Sequence, residues 1–106
     1  MGRIVWTEPA LDDVREIVRF IARDSSRHAE QVASEIIQTT QRLAGEPRTG
    51  WRVPEFDDDL VRELACYSYR IIYSIRDSTC FIVGVVHGSR DLARLFQRRE
   101  SSPPIP

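Results

Sequence analysis

The chain has 106 residues, 42% of them hydrophobic and 29% charged, with a formal net charge of −1. These values fit one globular domain with a modest core and exclude a protein that binds polyanions through overall charge, leaving only a local basic patch open. No apolar run reaches the roughly 18–20 residues of a membrane span, and the N-terminus lacks a signal-peptide core, so a cytoplasmic location is expected.

Arg3 to Trp6 is a short apolar run and reads as a first strand. Thr7-Glu8-Pro9 then opens a helix, with Thr7 as N-cap and Pro9 in the first turn, where a missing N–H costs nothing. Leu11, Val14, Ile17, Val18 and Ile21 follow at helical spacing. Asp12, Asp13 and Glu16 suit the positive end of the helix dipole, and Arg19 and Arg23 the negative end. Asp24-Ser25-Ser26 breaks the helix and supplies a cap for a second one, whose stripe is Ala29, Val32, Ala33, Ile36, Ile37 and Leu43. Two amphipathic helices joined by so few residues should fold back as an antiparallel hairpin. Gly45-Glu46-Pro47 ends it.

Arg48 to Asp59 reads as a loop with an extended piece near Trp51 to Val53, and its acidic run Asp57-Asp58-Asp59 as solvated surface. Val61 to His87 is the centre of the chain: three runs rich in Val, Ile, Tyr and Phe, interrupted at Tyr67-Ser68 and Asp77-Ser78-Thr79, as in a strand meander. On the middle run Tyr69, Ile71, Tyr73 and Ile75 share one face, which reads as core. Arg70, Ile72, Ser74 and Arg76 share the other, where function is expected. Ser89 can cap a short closing helix carrying Leu92, Leu95 and Phe96, and residues 101–106 form a flexible tail behind a single domain of residues 1–100.

The order β-αα-βββ predicts a two-layer α+β domain, with the helical hairpin on one face of a mainly antiparallel sheet and the other face open to a partner. Cys66 and Cys80 fall on the first and third strands of the meander, too far apart for a disulfide, and read as small buried hydrophobes. All fifteen basic residues are Arg, whose planar fork suits carboxylate and phosphate.

No phosphate loop, HExxH, GxSxG or CxxC is present, so neither a cofactor nor a metal is expected. The candidate site residues are Arg62, Tyr69, Arg70, Tyr73, Arg76, His87 and Arg90. Arginine can hold phosphate and histidine can move protons near neutral pH, which is the equipment for cleaving RNA through its 2′-hydroxyl. The plain alternatives are a surface histidine at a strand end and an Arg70 that pairs with Glu63 on the neighbouring strand.

The segments VWTEPALDDVREIVRFIARD, LAGEPRTG, VREL, YRIIY and VVHGSRDL, in that order from Val5 to Leu92, resemble the RelE/ParE superfamily of toxins from bacterial type II toxin–antitoxin systems. The resemblance implies a cognate antitoxin as partner, and one of two activities: ribosome-dependent mRNA cleavage or poisoning of DNA gyrase. It implies Arg70 and His87 as catalytic residues if the chain is a nuclease. Arg62, Tyr69, Tyr73, Arg90, Arg94 and Arg98 are expected as binding residues under either activity. The chain lacks the lysines of the nuclease branch and has no Tyr after Tyr73, which favours the gyrase branch. A third reading is a non-toxic member that serves only in an autoregulatory complex. The antitoxin is expected along the hairpin groove and sheet edge, and sequence-specific DNA binding is expected only from the antitoxin, since no recognition helix is evident.

Overall fold

The computed structural model describes residues 2–88 and Leu92. Apart from Leu92, the proposed closing helix, with Arg90, Arg94 and Arg98, lies outside the described residues, as does the tail at 101–106. Within them the order is β1 (Arg3–Trp6), α1 (Glu8–Ala22), α2 (Ser26–Gln41), two short 3-10 turns (Arg42–Ala44 and Pro47–Thr49), β2 (Trp51–Arg52), β3 (Val61–Cys66), β4 (Tyr69–Arg76) and β5 (Thr79–His87). The five strands form one sheet in the order β1-β5-β4-β3-β2. Only β1 runs parallel to its neighbour, β5; the other pairings are antiparallel. The α+β architecture is as expected from the sequence.

Both helices start where their caps predict. Thr7 Oγ1 accepts from Ala10 N, and Ser25 Oγ accepts from His28 N. Thr7 also ties helix to sheet, because its N–H and its hydroxyl both donate to the Ile82 carbonyl. Ala10, Val32, Ile36 and Leu43 then meet Leu64, Ile71, Tyr73, Ile75 and Ile82 in the larger core. Each hairpin of the meander turns on two residues, Tyr67-Ser68 and Asp77-Ser78, and Thr79 already belongs to β5. Tyr67 and Asp77 hold φ at 55°, a left-handed conformation that is uncommon for non-glycine residues and that Asp tolerates in turns. The two cysteines are buried and free, and burial pushes both thiols up from their ordinary pKa.

The far face of the sheet is not open, contrary to the expectation from sequence. Val53, Ile72, Val83, Val86 and Leu92 form a second, smaller core there, with Phe56, Val61 and Phe81 packed against it. The segment after β2, which carries Val53 and Phe56, therefore lies as a strap over that face.

Two irregularities set which residues share a face. At β4–β5 the register slips between Ile72 and Tyr73, which pair with Gly84 and Ile82 and leave Val83 as the extra residue of a β-bulge. The bulge inverts the alternation of the rest of β5. Cys80 and Ile82 face the helices, and so does Val85 rather than Gly84. The second irregularity is that β1 ends opposite Ile82, leaving the upper half of β5 without a strand on that side. There the half-buried Asp13 of α1 accepts a hydrogen bond from Val85 N at 2.9 Å. Asp13 sits on the apolar stripe of α1, three residues after Ala10 and four before Ile17, and satisfies a backbone donor that the sheet cannot.

Tyr73 is fully buried. Its hydroxyl donates to the Pro47 carbonyl at 2.7 Å and accepts from Gly50 N at 2.9 Å, so it anchors the chain just before β2. Gly50 is required by that approach: a Cβ there would lie 2.5 Å from Tyr73 Oη and 2.6 Å from the Glu63 carbonyl oxygen. Tyr73→Phe, which leaves two buried partners unpaired, should cost about 1–3 kcal/mol in chemical denaturation. Gly50→Ala should lower the melting temperature by more than Tyr73→Phe does, because the backbone must move as well.

Candidate functional site

The expected site face carries an ion-pair knot centred on Arg70 of β4. Its Nε and Nη2 donate to the two carboxylate oxygens of Glu63 on β3, at 2.7 and 2.8 Å. Its Nη1 and Nη2 donate to both oxygens of Glu55 in the strap, each at 2.8 Å. Four hydrogen bonds thus leave one of the five guanidinium N–H groups outside the two forks. The Arg70 side chain is only 15% exposed. Both carboxylates hold its proton more firmly than usual, Glu55 first, and the Arg70 fork in turn holds Glu55 below the ordinary carboxylate pKa.

His87 does not share this face. It lies directly opposite Tyr69 in the β4–β5 register, and the two rings meet edge to face with centroids 6.0 Å apart. Tyr69 packs against the larger core, on the helix side. Arg70, the next residue along β4, points to the other side. Strict alternation along β5 from Phe81 would place His87 beside Arg70; the bulge at Val83 turns it away. The two candidate catalytic residues are therefore separated by the sheet.

The proposed binding residues also divide. Tyr73 is a buried strut rather than a contact residue, which corrects its placement among the binding residues. Arg62 is largely occupied: Nη1 donates to the Gly50 carbonyl at 2.9 Å, Nε to the Asp59 carbonyl at 3.0 Å, and Nη2 to Asp59 Oδ1 at 2.8 Å. Asp59 also pairs with Arg48 and Arg52, and these partners, Arg48 first, hold its carboxyl below the ordinary range. Asp57 and Asp59 of the acidic run thus meet arginines at the base of the strap, while Asp58 Oδ1 accepts from Leu60 N. Glu55 was not singled out in the sequence, since nothing in its neighbourhood signals a contact fifteen residues away.

A shallow depression of about 530 Å³ beside the second 3-10 turn is lined by residues that include Pro47, Leu60 and Ile75. None of the described candidate residues lines it. Among the described residues, no group of His, Cys, Asp and Glu could hold a metal ion, and no helix is long and apolar enough to cross a membrane. Among the described residues the large apolar side chains left exposed are Phe20 and Ile37 on the helices, Trp51 on β2, Leu60 in the strap, and Tyr67 at the β3–β4 turn.

A family model described as the ParE toxin of the type II toxin–antitoxin system parDE matches residues 4–92. A solved chain from the chromosomal ParDE TA system of P. aeruginosa superposes with a TM-score of 0.69 at 17% identity, covering 82% of this chain and 96% of that one. At that identity the likeness speaks for the fold. No curated protein matches.

If the Arg70 knot holds the strap, Arg70→Met should destabilise the chain by about 1–3 kcal/mol, since it strands two half-buried carboxylates. Its pH dependence should change as well. The folded-state pKa of Glu55 lies below its ordinary value of 4.5, so its contribution is present above that value and is lost as pH falls through the folded pKa. Wild type should lose stability in acid more steeply than Arg70→Met, measured by denaturation midpoints at successive pH values.

Proposed function

The chain belongs to the ParE toxin family of type II toxin–antitoxin systems, and from that premise we propose that it poisons DNA gyrase and is silenced by a cognate antitoxin in the cytoplasm. The observation that carries the choice of target is the double carboxylate fork on Arg70. An mRNA nuclease needs a guanidinium free to take the scissile phosphate, with a proton-transfer group close by. Here two carboxylates already fill the fork, their combined charge repels a phosphate, and the only histidine of the meander lies across the sheet. A gyrase poison acts by binding and needs no such constellation.

The antitoxin is expected to reach the outer side of the helical hairpin, where Phe20 is 67% and Ile37 38% exposed, so that its apolar side chains cover what the fold leaves bare. Tyr69 and Arg62 are at most peripheral contacts in this reading. Arg90, Arg94 and Arg98 follow the last described strand and are proposed as target contacts.

The test is induction of the chain alone in bacteria. Amino-acid incorporation should continue through the first minutes while a DNA-damage response and filamentation develop. His87→Ala should stay fully toxic, since the imidazole performs no chemistry here. Prompt collapse of translation, abolished by His87→Ala, would overturn the assignment. Failure of the chain to co-elute with the product of the adjacent reading frame would remove the antitoxin from it.

A further inference from the structure

Among the described residues five arginines lie on strands: Arg3, Arg52, Arg62, Arg70 and Arg76. Three of them, Arg52, Arg62 and Arg70, meet carboxylates. Arg3 and Arg76 are exposed, and among the described residues neither forms an ion pair. These two are also neighbours. Thr79 is the cross-strand partner of Arg3 in the parallel β1–β5 ladder and of Arg76 in the β4–β5 hairpin. Directly paired residues share a face, so Arg3, Thr79 and Arg76 form one row across three strands. The row lies on the face away from the helices, because the next pair inward is Phe81 with Ser74 and Phe81 packs on the smaller core. The Arg76 guanidinium lies 6.0 Å from the Phe81 ring centroid, a cation–π contact that keeps it raised over the sheet. Asp77, the carboxylate nearest in sequence, pairs with neither arginine.

We propose that the Arg3–Thr79–Arg76 row is a contact site for the phosphodiester backbone of a nucleic acid. Two strand spacings put the arginine Cα atoms about 10 Å apart, with a hydroxyl between them. Two forks and an O–H donor match adjacent phosphate groups. An acidic peptide fits less well. The row crosses the strands on the sheet face instead of following the free outer edge of β1, so a peptide main chain lying along it gains no ladder pairing. Such a contact is independent of base sequence and needs no recognition helix, and a local patch can provide it in a chain whose net charge is near zero. It stands apart from the gyrase reading, because it is measured without gyrase.

The test is fluorescence anisotropy of the full chain with labelled duplex DNA and with single-stranded RNA of equal length, over a salt series. Each phosphate contact contributes about −0.9 to the slope of log affinity against log salt on duplex DNA, so the double substitution Arg3→Gln/Arg76→Gln should flatten that slope by about 1.8. Between about 50 and 200 mM salt, wild type should therefore lose roughly tenfold more affinity than the Gln variant does. The double substitution to Lys should keep the slope, which separates lost charge from lost fold. Arg27→Gln, at the exposed start of α2, should change little. Preference for the duplex or for RNA would identify the source of the phosphates, and either supports the site. The proposal is overturned if wild type binds neither, if the Gln variant binds like wild type, or if Arg27→Gln weakens binding equally. It is likewise overturned if a glutamate-rich peptide displaces the probe as effectively as unlabelled DNA.

Discussion

The far side of this fold depends on one guanidinium. Arg70 sits on a central strand, on a face otherwise covered by apolar side chains, where an unpaired charge would be costly. Glu63, across the strand, satisfies half of it, and Glu55 reaches in from the strap to satisfy the rest. Once Glu55 is held, Val53 and Phe56 are delivered onto the sheet, and the second core closes over Ile72, Val83 and Val86. The pair interactions are thus less a source of net stability than a device for fixing where the strap goes. The same device removes the guanidinium from service as a phosphate ligand.

A second constraint sorts the faces. The extra residue at Val83 reverses the orientation of the last part of β5, while Asp13 caps the backbone donor left bare where β1 stops. Together they let Val85 and His87 turn toward the helix side with the Val85 N–H satisfied by Asp13. Two features that look unrelated in sequence, a helix carboxylate and a valine run, are one solution to ending a parallel edge strand early. Their chemical consequence is that the histidine and Arg70 face different layers.

Much of this was legible in the residues. The N-caps Thr7 and Ser25, the two apolar stripes, the three-strand meander and the burial of both cysteines follow from local periodicity and turn chemistry, which act over a few residues. The pairing of Arg70 with Glu63 was also within reach, since adjacent strands of a meander meet in predictable ways. What was hidden depends on longer range. The bulge is invisible in Phe81-Ile82-Val83-Gly84-Val85, where either register buries apolar side chains. The strap could not be placed because Glu55 and Val53 act through contacts fifteen or more residues away. Tyr73 lies on the core face that the strand alternation predicts, but its listing as a binding residue fails because its hydroxyl is spent on Pro47 and Gly50. The Arg3–Thr79–Arg76 row needed the parallel pairing of β1 with β5, which sequence order alone does not supply.

Arg70 is a clasp and not a catalyst, and a double-mutant cycle between Arg70→Met and Glu55→Gln tests that most directly. Coupling of at least about 1 kcal/mol, within the range seen for residues in direct contact, is the expected result. The variants should also remain toxic wherever they stay folded. Additive single effects, with toxicity lost in an Arg70→Met chain as stable as wild type, would contradict it and return the guanidinium to the active site of a nuclease.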